Sequence, residues 1–579
     1  MSDYRYPYKD VLFSLNQAGI SDRLNDFLEE PLTVDLVEAI LTESAKLSEQ
    51  VIAPLNWSGD QEGARLESGD VYEAKGFKDA FSAYVEGGWP SLDGHVDHGG
   101  QGLPSTLATA VNEGIQSANL AFSLCPLLSS GAIEALERYG SPSLKNTFLS
   151  KLVSGEWTGT MNLTEPNAGS DLAAISAKAV PEGEHFLIQG QKIFITWGDH
   201  QMSDNIIHLV LARLPDAPEG VKGISLFLVP KYLVAESGEL GARNDVCVAS
   251  LEHKMGIHAS PTCVMAFGEN YGAVGYLVGE PNQGLKAMFA MMNNARQGVG
   301  LQGLAIAERA YQQATDYAKE RKQGYDAARK NRVAIIEHPD VKRMLLTMKA
   351  LIDASRALIY TAAVENDVSK LANGAEASAA SARTALYTPV VKGWITEIAQ
   401  EVTSLAVQVH GGMGFIEETG VAQHARDARI LPIYEGTNGI QAIDLIGRKL
   451  QGDNGIALSR LIDEIISDVG LSKSKYAEQV KTETVFFQQT TDLCLSSMKE
   501  DPLLGTYHAY AYMMQFGYVV GAWLMLKAED QMNENSEFDD LRSASIEFYC
   551  RQILPRARMY GDMITAGTST VDSAVFFDK

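Results

Sequence analysis

Apolar positions recur at helical spacing through much of residues 1–160, which predicts an N-terminal helical domain. Between Val34 and Val51 they fall at Val34, Leu36, Val37, Ile40, Leu41, Ala45, Leu47 and Val51, close to one helical stripe that Pro54 is expected to end. Further helices are predicted over 107–117 and 129–139, the second closed by Gly140. From about Trp157 the period shortens: 186–196 is rich in β-forming residues around a central turn, and 205–212, 224–229, 246–255 and 262–267 are short apolar runs between Pro and Gly breaks. That punctuation predicts a small antiparallel β-domain over 161–284. Long amphipathic stretches then return at 285–321, 340–363, 376–410 and 438–450, and four such helices suit a bundle over 285–450. Gly452-Asp453-Asn454-Gly455 marks a break before a C-terminal helical extension, 451–579, whose last helical segment runs to about Ala566 and is interrupted by an acidic loop at 529–540. The fold class expected is mainly α with a central β-domain.

Composition narrows the functions open to this chain. Its 579 residues are 45% apolar and 21% charged, enough to build large cores, which excludes a disordered chain. Forty-eight Lys plus Arg stand against 73 Asp plus Glu, a net charge of -25 that argues against nucleic acid and anionic membranes as partners. The five cysteines form no C-x-x-C pair, so no disulfide scaffold or metal site is legible, and a reducing, cytoplasmic setting is expected. The first residues carry no basic-then-apolar run of the kind that marks a signal peptide. The apolar stretch 503–526 is broken by Gly505, His508, Gln515, Gly517 and Gly521, so it reads as a buried or interface helix and not as an integral membrane segment.

Three segments carry candidate chemistry. Residues 161–171, M-N-L-T-E-P-N-A-G-S-D, fix a tight turn that either connects helix to strand or presents backbone N–H groups and hydroxyls to a ligand. In I-Y-E-G-T-N-G-I-Q at 433–441, Glu435 is either an ordinary acid near a helix start or a general base, with Gly436 opening the backbone to substrate; Thr437 or Asn438 can cap the helix. The glycines of Q-V-H-G-G-M-G at 408–414 either end a helix or admit a phosphate group close to the backbone. No G-x-G-x-x-G follows a strand, so a nicotinamide enzyme is not expected.

Taken together, T-E-P-x-A-G-S-D, G-Q-K-x-x-I-T, E-R-K-x-G, Q-x-x-G-G-x-G and I-Y-E-G-T occur in an order that resembles the acyl-CoA dehydrogenase family over about residues 30–450, and the C-terminal extension is most like its long bacterial subgroup. The resemblance implies an N-terminal helical domain, an antiparallel β-barrel and a four-helix bundle, with FAD as cofactor and an acyl-CoA oxidised to the trans-2-enoyl-CoA. 3-Methylmercaptopropionyl-CoA is the expected substrate, with short- to long-chain fatty acyl-CoA as the alternative. It implies electron-transfer flavoprotein as electron acceptor and a homodimer with FAD at the subunit interface.

Residue by residue, the resemblance makes Glu435 the base that takes the α-proton, its backbone N–H and a flavin hydroxyl holding the thioester oxygen. It sets Met161, Leu163, Thr164, Gly169 and Ser170 along the flavin, with Phe194, Ile195 and Thr196 covering it. Most relatives carry Trp where Phe194 stands, so here only the stacking face carries over. Arg321, Lys322 and Gln323, with His338, would reach the FAD of a neighbouring subunit; Gly324 replaces the common Phe and Pro339 a frequent Gln. Gln408, Val409, His410, Gly411 and Gly412 would cradle its diphosphate, and Thr437, Asn438 and Gly439 would close over the ring. Ser170, Asn293, Arg296, Tyr434 and Gly436 would contact the acyl-CoA, with Met161, Met288 and Met292 as further pocket candidates. A DNA-associated flavoprotein of the same fold is the remote rival. Residues 451–579 hold 11 Lys plus Arg against 19 Asp plus Glu, a sign that opposes phosphate binding.

Overall fold

The computed structural model describes residues 4–235, 237–532 and 537–569. The described residues form two compact units, one of Glu43–Gly298 and one that joins Met1–Thr42 to Val299–Lys579.

The first unit is built on a barrel. A small hairpin, β1 (Arg65–Glu67) with β2 (Asp70–Tyr72), precedes it, and a second hairpin, β8 (Tyr232–Val234) with β9 (Leu240–Arg243), lies at its side. The main sheet holds β3 (Trp157–Asn162), β4 (Lys178–Glu182), β5 (His185–Thr196), β6 (Asn205–Arg213), β7 (Ile224–Pro230), β10 (Val246–Leu251), β11 (Thr262–Phe267) and β12 (Ala273–Val278). Its order is β10-β11-β5-β12-β7-β6-β3, and β4 pairs with both β5 and β6, which closes a ring of β4, β5, β12, β7 and β6. The antiparallel expectation holds except at β6, which runs parallel to β3 and to β4. The chain crosses through β4 and β5 before it returns beside β3, and that sets the parallel sense.

β6 and β7 read as continuous apolar runs because both of their faces are covered. Val210, Ala212, Phe227 and Val229 point into the barrel core. Ile207, Leu209, Leu211, Leu226 and Leu228 face the other way and join a core that includes Leu128, Ala132, Ala135 and Leu136 of the helix Leu120–Tyr139. Among the described residues this is the one helix long and apolar enough to cross a membrane, and 67% of its apolar window is buried. A methyl on Gly159 would lie 2.4 Å from the Ala132 Cβ, so glycine is what lets β3 approach that helix.

Two local expectations differ. The turn expected within 186–196 is a bend: β5 runs unbroken, paired with β12 at Phe186–Ile188 and with β11 from Gly190 on. Gly190 takes φ 147° and sits against Ala177, where a side chain would collide. β10 ends at Leu251, short of Met255. The helical stretch from Val34 ends at Ile52, just ahead of Pro54 as expected, and Pro54 (φ -59°) then opens the next helix, Leu55–Glu62, where its missing N–H costs no hydrogen bond.

In the second unit the antiparallel helices Pro339–Leu371 and Gly374–His410 are joined by a two-residue link. The N-terminal helix Tyr8–Ala18 packs on Pro339–Leu371, so residues 4–42 lie in this unit and not with residues 43–160. Asp10 fixes it there by accepting from the buried Lys349 (2.9 Å). Of the extension, Ala509–Gln531 is central: Tyr512, Met513, Phe516, Val519, Val520 and Trp523 are buried, as expected of a covered helix. The glycines that interrupt its apolar run are contact points, since a methyl on Gly517 would meet Trp394 at 2.2 Å and one on Gly521 would meet Tyr549 at 2.3 Å. The described part of the acidic stretch is mostly helical, at the end of Ala509–Gln531 and the start of Glu537–Phe548; residues 533–536 lie outside the described residues.

Candidate active site

In the unit of Glu43–Gly298, β3 delivers the loop 161–171 to the barrel. Glu165 and Ala168 exchange backbone hydrogen bonds of 3.0 Å, which folds Pro166 and Asn167 into a tight turn. Glu165 accepts from Lys192 Nζ (2.7 Å), Ser176 N (2.7 Å), Ser176 Oγ (2.7 Å) and Ala177 N (3.1 Å). Lys192 also donates to the Leu163 carbonyl (3.1 Å), and Ile193 N to that of Thr164 (2.9 Å). The acid and the base of two separate motifs thus form one buried pair that pins the loop to β5. Burial opposes the Glu165 charge, but Lys192 and the Ser176 donors hold its carboxyl below the usual range. Burial draws the Lys192 ammonium down to about 8 against the pull of Glu165. With the loop anchored this way, Met161 is buried, Leu163 and Thr164 are half-buried, and Gly169 and Ser170 are exposed. A Cβ on Gly169 would meet nothing within 4 Å.

The β5–β11 register slips between Lys192 and Ile195, and two residues bulge out of the ladder there. Phe194 takes φ 61° and is 58% exposed as a residue, while Ile195 is buried and Thr196 half-buried. A left-handed conformation costs a non-glycine residue roughly 1 kcal/mol or more. An aromatic ring held outward at that cost is a ready stacking surface. Next to it Trp197, also left-handed at φ 50°, is buried and donates from Nε1 to the Ala121 carbonyl (3.0 Å).

On the helix Gly284–Glu320, Asn293 is exposed and Arg296 buried, its Nη1 3.4 Å from the Asn293 Oδ1 that accepts from it. Met288 is wholly within the core shared with the barrel, and Met292 is half-buried.

In the second unit, a hairpin absent from the expected helices, β13 (Lys322–Tyr325) with β14 (Arg332–Ala334), follows Arg321. Arg321, Lys322 and Gln323 are exposed, and His338 Nε2 donates to the Gln323 carbonyl (2.7 Å), so these residues do come together. A methyl on Gly324 would press 2.9 Å from the His338 ring, so the departure from Phe at that position belongs with this packing. The segment 408–412 divides by side chain. Gln408, Gly411 and Gly412 are exposed, and a Cβ on either glycine would meet nothing within 4 Å. Val409 and His410 are buried; His410 stacks on Tyr317 at 4.3 Å and donates from Nδ1 to the Ala406 carbonyl (2.8 Å). Only their backbones remain for a ligand.

Glu435 is half-buried and holds φ 55°, with Gly436 at 85°. Four contacts fix this strained turn. Asn438 N donates to the Pro432 carbonyl (2.9 Å), and Gln441 Nε2 to the carbonyls of Glu435 (3.2 Å) and Gly436 (3.4 Å). The Tyr434 hydroxyl donates to Gln302. Burial, then the Glu435 charge, push that hydroxyl well above its ordinary value. Thr437, not Asn438, caps the helix Asn438–Asp444, accepting from Ile440 N (3.2 Å). The Asn438 side chain turns inward instead, to Lys392, Thr396 and Glu397, while Gly439 is exposed. Sequence reading missed Lys192, Gln302, Lys392 and Gln441; of these only Lys192 and Gln441 stand inside a recognisable motif.

The chain belongs to the acyl-CoA dehydrogenase family. The N-terminal, middle and C-terminal domains of that family match residues 61–156, 160–269 and 282–451. A further domain, described as acetyl-CoA dehydrogenase C-terminal like, matches residues 458–573. The protein is therefore an acyl-CoA dehydrogenase, in a family of flavin-dependent oxidoreductases. Among individual relatives it is 45% identical over 571 residues to the 3-methylmercaptopropionyl-CoA dehydrogenase of Ruegeria pomeroyi, covering 95% of this chain and 96% of that one. It is 34% identical to a butyryl-CoA dehydrogenase of Syntrophomonas wolfei, over 99% of this chain and 98% of that one. Its fold matches an acyl-CoA dehydrogenase of Bacillus anthracis solved with FAD (TM-score 0.76, 19% identity, 93% of this chain and 90% of that one).

Proposed function

We propose that this enzyme binds FAD and dehydrogenates 3-methylmercaptopropionyl-CoA to its trans-2-enoyl thioester, with Glu435 as the base. The likeness over 95% of the chain, reaching into the extension, to a dehydrogenase of that name carries the substrate reading. A thioether sulfur is nearly isosteric with a methylene, so a straight-chain acyl-CoA is the alternative, favoured by the full-length likeness to a butyryl-CoA dehydrogenase.

The residues present fit the cofactor. An outward Phe194 ring offers a stacking face, and the open backbones at Gly169, Gly411 and Gly412 make room for a bulky polar group. Exposed Arg321 supplies a cation for a diphosphate in a chain of net charge -25. Thr164, Ser170 and Thr196 supply hydroxyls, and Met161, Leu163 and Ile195 shape the ground beneath them. Lys322, Gln323 and His338, the backbones of Gln408, Val409, His410 and Asn438, and Thr437 and Gly439 complete the proposed set. When bound, FAD supplies the hydride acceptor.

The protein's own part is to place a base at the α-carbon. A thioester α-proton is weakly acidic, so removal needs a carboxylate held in line with the C–H bond. The left-handed turn aims Glu435 from a fixed backbone, and Gly436 beside it admits substrate without a side chain in the way. Tyr434, locked by Gln302, has little freedom to follow. Ser170, Asn293 and Arg296 are the proposed contacts to CoA. Electron-transfer flavoprotein as electron acceptor, a homodimer with FAD at its interface, and a cytoplasmic setting belong to the same proposal. Purified enzyme assayed with 3-methylmercaptopropionyl-, butyryl-, octanoyl- and palmitoyl-CoA should give its highest kcat/KM on the first. A higher value on any straight chain would replace it as substrate.

A further inference from the structure

The C-terminal extension meets the bundle at the turn Gly393–Glu397 of the helix Gly374–His410. From the extension side, Met513 lies where a methyl on Gly393 would meet its Sδ at 2.2 Å, and Gly517 lies against the Trp394 ring. Tyr518 stands edge-on to Trp394 at 5.6 Å, and Tyr510 lies close enough to Glu397 that burial, with the carboxylate charge added to it, raises its hydroxyl. From the other side, the same turn receives Asn438. Its Nδ2 donates to the Gly393 carbonyl (3.1 Å), to Thr396 Oγ1 (2.9 Å) and to Glu397 Oε1 (2.8 Å). Its Oδ1 accepts from Lys392 Nζ (2.9 Å), whose side chain is fully buried. Asn438 lies three residues beyond Glu435, and its own N–H closes the turn on Pro432.

We propose that the extension is a positioning element for the base: it braces the Gly393–Glu397 turn, which anchors Asn438, which in turn fixes Glu435 in its left-handed conformation. The reason is physical. A non-glycine residue stays left-handed only where its surroundings over-determine it. Asn438 is suited to this because one amide satisfies a buried ammonium, a hydroxyl and a carboxylate at once. Glu397 is the joint, since it accepts from Asn438 on one hand and neighbours Tyr510 on the other, in a turn whose Gly393 and Trp394 pack on Met513, Gly517 and Tyr518 of the extension. Asn438, Glu397 and Tyr510 are positioning residues; none is assigned a contact with the reacting atoms. The inference rests on Glu435 being the base.

A swap tests it in the full-length, flavin-loaded enzyme. Asn438→Asp sets a carboxylate against Glu397 and should lower kcat at least tenfold, with KM within about twofold and a larger isotope effect from substrate deuterated at the α-carbon. Adding Glu397→Gln restores a donor–acceptor pair and should recover most of that loss. Tyr510→Phe and Glu397→Ala touch only partly exposed positions and keep the test open if Asn438→Asp does not fold. Both should lower kcat by threefold or more, with flavin content and melting temperature near the parent's. An unchanged kcat and isotope effect in folded Asn438→Asp, no recovery in the double variant, or parental kcat in both Tyr510→Phe and Glu397→Ala would overturn it. If Glu435→Gln itself kept full activity, the base assignment would fall first, and that result is separate from the swap.

Discussion

Lys192 Nζ lies 2.7 Å from the Glu165 carboxylate, with both side chains buried, and the pair ties the loop of 161–171 to β5. Removing one member of such a pair leaves an uncompensated buried charge, a loss of about 3–5 kcal/mol. Lys192→Met should therefore lower the urea midpoint of unfolding by that equivalent and reduce the flavin-to-protein ratio of purified enzyme. A midpoint and flavin content equal to the parent's would show that the loop is held by other contacts.

Phe194 presents the reverse case, a ring that contributes little to folding. Phe194→Ala removes an exposed side chain and should change stability by no more than about 0.5 kcal/mol. Loss of a stacking partner worth about 0.5–1.5 kcal/mol should weaken flavin retention several-fold, read by dialysis and the flavin absorbance. Unaltered retention would remove Phe194 from the cofactor surface.

Glu435→Gln keeps size and shape and removes the base. General-base assistance is worth about 10²–10⁴ in rate, so kcat should fall by about that factor while the bound-flavin spectrum persists. Full activity would take Glu435 out of the role.

Acid should weaken the barrel unit earlier than its carboxylates alone dictate. His200 is bonded to Thr158 (3.0 Å) and His208 to Thr160 (2.8 Å), and burial, helped by the Lys231 charge, pushes both rings down to about 3 from an ordinary 6.5. Between those values the unfolded chain takes up protons that the folded chain refuses. Stability is therefore full above about pH 6.5 and falls as pH drops towards 3, by up to about 1.4 kcal/mol per pH unit for each ring. Urea unfolding from pH 8 to 5 should show that slope, shallower in His208→Gln; parallel slopes in the two proteins would refute it.

Elements with strong local signals were legible. Alternating and helical apolar spacing located the strands near 205–212, 224–229 and 262–267, and the helix ending at His410. Gly190 misled, because a glycine marks both a turn and a sharp bend, and only the partner strands distinguish them. The hairpin Lys322–Ala334 escaped because its short strands carry charged and polar residues with no periodic core face. Within Q-V-H-G-G the motif pointed to five residues alike, but helical geometry turns Val409 and His410 inward and leaves Gln408, Gly411 and Gly412 outside.

The order of the amino acids alone determined the families of elements, their punctuation and the residue types with chemistry to offer, since these depend on neighbours a few positions apart. Only tertiary structure decided the parallel seat of β3 beside β6, the joining of Glu165 to Lys192 across 27 positions, and the left-handed turn of Glu435. Those features arise from contacts between distant segments. Local spacing carries no record of which segments will meet, or of what strain their meeting sustains.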